Sequence, residues 1–158
     1  MDAEKLKWCA CQKSGLKIGK PNDNLASEYI RSAEETLLVL QDIKGKSNMW
    51  LATTKYYCEY FAIYALLQKL GITCEIHDCT IESCKLLEKI GLLPSGFSKR
   101  LEDDKALRID NQYYLKNRKV DLDVNELREF MLIVKNKVNS ITLDERNKAR
   151  DELMRILK

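Results

Sequence analysis

The chain's one histidine, His77, sits in the run Cys74-Glu-Ile-His77-Asp-Cys79. Imidazole is the side chain best suited to moving a proton near neutral pH, so a single copy limits the available chemistry. Any mechanism that needs two imidazoles within one subunit is excluded. Glu75 and Asp78 flank His77, and a carboxylate neighbour is expected to favour the charged ring, suited to a general acid or a phosphate contact. The plainer expectation is a histidine before a helix that bonds a backbone carbonyl. A second segment of interest is Arg108-Ile-Asp-Asn-Gln-Tyr113-Tyr114-Leu-Lys116-Asn-Arg118-Lys119. It interleaves basic side chains with two tyrosines between expected helices, a composition that suits a polyanion surface. The alternative there is a solvated loop with one tyrosine anchored in the core.

The six cysteines are Cys9, Cys11, Cys58, Cys74, Cys79 and Cys84. Cys9-Ala-Cys11 and Cys74…His77…Cys79 offer soft ligands for a tetrahedral zinc, but no C-x-x-C occurs and the groups lie over sixty residues apart. Met-Asp-Ala-Glu-Lys opens the chain without an apolar run behind it, so a reducing, cytoplasmic setting is expected. Buried, inert thiols are therefore the expectation, with no metal and no cofactor. Neither G-x-x-x-x-G-K-S/T nor G-x-G-x-x-G is present, and Gly15-Leu-Lys-Ile-Gly19-Lys20 reads as a loop. Glu34-Glu35 and Asp103-Asp104 are adjacent in sequence, so on helices they diverge rather than pair.

These groups must be positioned by helices. Across 158 residues, 45% are hydrophobic, 32% charged and only two are proline, which fits one folded domain and excludes a disordered chain. No apolar run reaches the ~20 residues of a membrane span. The net charge of +3 is too small to imply nucleic-acid binding by itself. Residues 1–20, 99–119 and 135–158 each carry a local +3.

Ala26, Tyr29, Ile30, Ala33, Leu37 and Leu40 share one helical face, opened by Asp23 or Asn24 and closed by Gly45. Ser47 caps a second helix that runs to Gly71. It carries two apolar stripes: Tyr56, Tyr60, Ile63, Leu67, Leu70 and Trp50, Tyr57, Phe61, Ala65. A helix apolar on two sides touches two layers or a second subunit, so Tyr56, Tyr60, Phe61 and Tyr64 are candidate interface residues. Further helices are expected from about Asp78 or Thr80 to Gly91, over 98–111, over 124–140 behind Asp123, and after the Thr142…Glu145 capping box. The expected architecture is an all-α antiparallel bundle of five to six helices over 22–158. Residues 1–21 are expected to be an N-terminal appendage with a short helix around Leu6 and Trp8.

This arrangement resembles a HEPN domain over roughly residues 24–141. The second helix, with Tyr56, Tyr60, Ala62, Ala65, Leu66, Leu67 and Gly71, resembles the family's long aromatic- and alanine-bearing helix. His77 follows at the family's usual distance, and Arg108 with Tyr113 or Tyr114 is similar to the segment before its last long helix. The resemblance implies a homodimer through the central helices with a cleft along the interface. It also implies a minimal nucleotidyltransferase as companion, in a toxin–antitoxin-like pair. Catalytic members are metal-independent ribonucleases with an Arg four to six residues before a His. Here no Arg precedes His77 at that spacing, Lys69 is too distant, and Glu75 stands where smaller members often carry Lys. The expectation is therefore a non-catalytic dimeric module that contacts RNA, nucleotides or a companion protein, using Arg108, Tyr113, Tyr114, Lys116, Arg118 and Lys119. Two alternatives accompany it. One is a divergent ribonuclease using His77 from each subunit with Arg108 or Lys69 on the phosphate. The other is a structural dimer with redox-sensitive cysteines.

Overall fold

A computed structural model describes all 158 residues, and the chain is predominantly α-helical. Seven helices form: α1 Ala3–Cys11, α2 Asp23–Ile43, α3 Asn48–Leu70, α4 His77–Lys89, α5 Phe97–Gln112, α6 Val124–Ser140 and α7 Leu143–Leu157. Two short strands, β1 Lys17–Ile18 and β2 Ile72–Thr73, pair antiparallel with Ile18 opposite Ile72. No helix is long and apolar enough to cross a membrane.

The helix ends follow from local chemistry. The Asn22 side chain accepts from the Leu25 amide to open α2, and Ser47 does the same for Trp50 at the start of α3. Gly71 closes α3 in the left-handed region (φ 75°), donating its amide to Leu67 and Gln68. Thr142 and Glu145 form a full capping box at α7.

Fifteen of the 23 residues of α3 are buried, which makes it the central helix. On one side α2 packs through Ala26, Ile30, Ala33, Leu37 and Leu40; α5 and α6 cover the others. The stripe that α5 buries is mostly polar: Ser98, Leu101, Asp104, Arg108 and Asn111. Its opposite number on α3 is the pair Lys55 and Glu59. Lys55 Nζ donates to Asp104 at 2.9 Å and Arg100 Nε to Glu59 at 2.5 Å, crossing between the helices.

Residues 1–21 are not an appendage. Leu6, Cys9 and Leu16 are at most 2% exposed and belong to the one hydrophobic core. Three ties hold this segment: the β1–β2 pair, α1 packing on α4 and α7, and a Cys9–Cys79 disulfide. Two thiols expected to be inert are thus joined. Cys58, Cys74 and Cys84 are buried and free, and Cys11 is exposed.

Candidate functional site

His77 opens α4 directly after β2, where the chain turns between the strand pair and the disulfide at Cys79. Its Nδ1 lies 2.6 Å from the Tyr56 hydroxyl. The rings of Tyr60 and Tyr57 lie 4.4 and 6.0 Å from the imidazole, so three tyrosines from successive turns of α3 enclose it. Burial pushes the Tyr56 phenol far above its ordinary value, so it remains protonated in its hydrogen bond with Nδ1.

The expectation of a charged ring is corrected. Burial, then the Arg108 and Lys105 charges, lower His77 to about 4, and Asp78 only partly opposes them. Asp78 is occupied elsewhere: its carboxylate takes a hydrogen bond from Lys105 and lies 3.9 Å from Lys5. Burial would raise that carboxyl, but the Lys105 bond and the two lysine charges keep it low. At neutral pH the His77 ring is uncharged, so it carries no extra proton to give as a general acid.

Arg108 comes to the same place from α5. It is 6% exposed, donates through Nη1 to the Tyr57 hydroxyl at 2.9 Å, and stacks 4.8 Å from the Tyr56 ring and 5.3 Å from Tyr57. Tyr113 lies 5.9 Å from its guanidinium carbon. Among the 18 ion pairs of the molecule none involves Arg108, and its buried Nε has no hydrogen-bond partner. A charge in such a place costs several kcal/mol unless paired, and stacking on tyrosine recovers only about 1–2.

The other expected site residues are distributed differently. Tyr113 and Tyr114 are exposed at 65% and 67%. Lys116 and Arg118 are exposed, but both pair with Asp110, at 2.7 and 2.6 Å. Lys119 is exposed and has no such pair. The basic segment is thus partly neutralised from within, while Arg108 at its head turns inward. Tyr56, Tyr60 and Tyr64 are buried inside a single chain, so they form core where a subunit interface was expected; Phe61 remains partly exposed. Lys69 pairs with Asp23 thirteen residues along α3 from Tyr56, about 20 Å away by helix rise, and takes no part.

Cys9 and Cys79, weighed in the sequence as soft metal ligands, are bonded to each other, and no three metal-binding side chains cluster. Sequence reasoning missed Lys55, Glu59, Arg100 and Asp104 as a unit. Glu59 Oε2 and Asp104 Oδ2 are buried without a hydrogen-bond partner, and burial plus the Asp104 charge raises Glu59 to about 8. A single proton held between the two carboxyls would satisfy both oxygens. Comparison of the chain with family models, with curated proteins and with solved structures returns no match.

Proposed function

We propose that the chain is a HEPN-like binding module that takes a phosphate-bearing ligand at Arg108 and performs no chemistry on it. The observation that carries this is the nearly buried guanidinium with no carboxylate partner, beside the one histidine. A phosphate supplies the counter-charge that the Arg108 guanidinium lacks, since no ion pair of the molecule involves it. His77 speaks against general-acid hydrolysis. A ring lowered to about 4 holds no transferable extra proton at pH 7, and its Nδ1 is engaged by Tyr56. RNA or a nucleotide is the proposed ligand class, with homodimerisation and a minimal nucleotidyltransferase companion following from the resemblance. The proposed setting is the cytoplasm, where a disulfide whose cysteines are both fully buried is shielded from thiol reductants.

The test is binding of a short RNA and of inorganic phosphate by wild type and Arg108→Gln, beside RNA cleavage by wild type and His77→Ala in chelator. Binding is expected to weaken with salt and with Arg108→Gln, without cleavage by either protein. Cleavage that disappears with His77→Ala would establish the ribonuclease reading instead.

A further inference from the structure

The second apolar stripe of α3 has a use that the core does not absorb. Trp50 is 55% exposed and Val39 of α2 is 51% exposed, and together with Tyr57 and Phe61 they wall a cleft of about 510 Å³ between the two helices. Tyr57 belongs to this cleft and to the anion site at once, because its hydroxyl receives the Arg108 hydrogen bond. Phe61 and Tyr57 lie ring to ring at 5.5 Å, which continues the aromatic wall along α3.

The polar lining of the cleft is almost free of charge. Its one charged group, Glu35, faces Arg31 on the same helix at 4.0 Å. The hydroxyls of Thr36 and Thr53 donate to the Ser32 and Met49 carbonyls, which leaves their oxygens as acceptors for N–H groups. A planar ring with amino edges meets aromatic walls and neutral acceptors here, and an unpaired cation waits at the shared wall.

We infer that the Trp50–Val39 cleft is a nucleobase subsite, and that one nucleotide unit spans it with its phosphate on Arg108. This rests on the phosphate reading of Arg108 and adds the part of the ligand that gives it affinity beyond charge. Base stacking on exposed aromatic side chains tolerates any base, so the subsite accepts a free nucleotide or one residue of a strand.

Trp50 and Trp8 are the only tryptophans, so a Trp8→Phe background makes Trp50 the sole fluorescent reporter. Adenosine 5′-monophosphate is expected to quench Trp50 and to bind about tenfold more tightly than ribose 5-phosphate. In intact protein, Trp50→Ala is expected to cancel that tenfold preference and leave ribose 5-phosphate unchanged, whereas Arg108→Gln weakens both probes. A tetranucleotide RNA run alongside separates the sources: tighter binding than the mononucleotide assigns the subsite to a strand, equal binding to a free nucleotide. Equal affinity of nucleotide and ribose phosphate overturns the base subsite while leaving the anion site standing. Failure of every phosphate probe, including inorganic phosphate, overturns the anion site itself and the subsite with it. A dimer by sedimentation that Trp50→Asp dissociates gives the cleft to a second copy and likewise overturns the proposal.

Discussion

Arg108→Gln should move the titration of His77, and because the chain has one histidine its imidazole resonances are unambiguous. In the wild type, burial first and Arg108 and Lys105 next hold the ring at about 4, against an ordinary value of 6.5. That gap corresponds to about 3 kcal/mol against the charged ring, at 1.36 kcal/mol per unit. His77 is only partly buried, so solvent screening reduces the figure to roughly 2. Burial is the largest cause and survives the substitution. The Arg108 charge is the second, and removing one like charge close to a titrating group is worth about one unit. The expected result is a wild-type midpoint near 4 that rises by about one unit in Arg108→Gln. Saturating phosphate should push it the same way, because an anion favours the charged ring. The unfolded chain takes up this proton first, so stability is intact above about pH 6.5 and falls as pH drops towards 4. The measurement is a pH series of imidazole proton spectra, with chemical unfolding at matched pH. A wild-type ring titrating at 6.5 or above, or one indifferent to Arg108, would refute the geometry assigned to the site.

Glu59→Gln keeps the shape of a neutral Glu59, accepting from Arg100 and donating to Asp104. The wild-type carboxyl is raised to about 8 in the fold, so the native state holds its proton where the unfolded chain has lost it. Wild-type stability should therefore decline between about pH 5 and 8, by up to about 1.4 kcal/mol per unit, and the variant should lack that slope in urea melts. Gly71→Ala forces a left-handed backbone on a side chain whose Cβ would meet Gly19 O at 2.6 Å and Arg150 Nη1 at 2.5 Å. It should cost roughly 2–4 kcal/mol by chemical denaturation, whereas Gly45→Ala, also left-handed but with open space, should cost about 1. Reduction of Cys9–Cys79, which closes a loop with a sequence separation of 70, should lower stability by about 4 kcal/mol, and Cys9→Ser should match it without reductant.

Helices defined by apolar period and caps were legible in the sequence. Ser47 and Gly71 bound α3, and Thr142 with Glu145 opens α7, as their residue types require. What periodicity could not reveal was the content of α5. Its buried stripe reads Ser, Leu, Asp, Arg, Asn, and only a partner helix carrying Lys55 and Glu59 makes that stripe an inside. Arg108 was visible as a basic residue near tyrosines, but its inward direction depends on Tyr56 and Tyr57 standing one helix away. The charge expected for His77 was wrong because its burial among the tyrosines and the approach of Arg108 and Lys105 are invisible in sequence, while its neighbour Asp78 is taken by Lys105. The core role of residues 1–21 was hidden by two-residue strands and by a bond between cysteines seventy positions apart.

Arg150 on α7 donates to the carbonyls of Gly19 and Leu70, tying the last helix to both the first strand's exit and the end of α3. A ribosome delivers these partners in a fixed order. Gly19 and Leu70 emerge long before residue 150, so the β1–β2 corner must wait for most of the chain to be made before it is locked. In that interval the Cys9–Cys79 bond can already have formed, since both cysteines precede α5. A bond formed that early would tether the N-terminal segment before the helix that completes its hydrogen bonding exists, leaving Arg150 of α7 to latch a corner already held covalently.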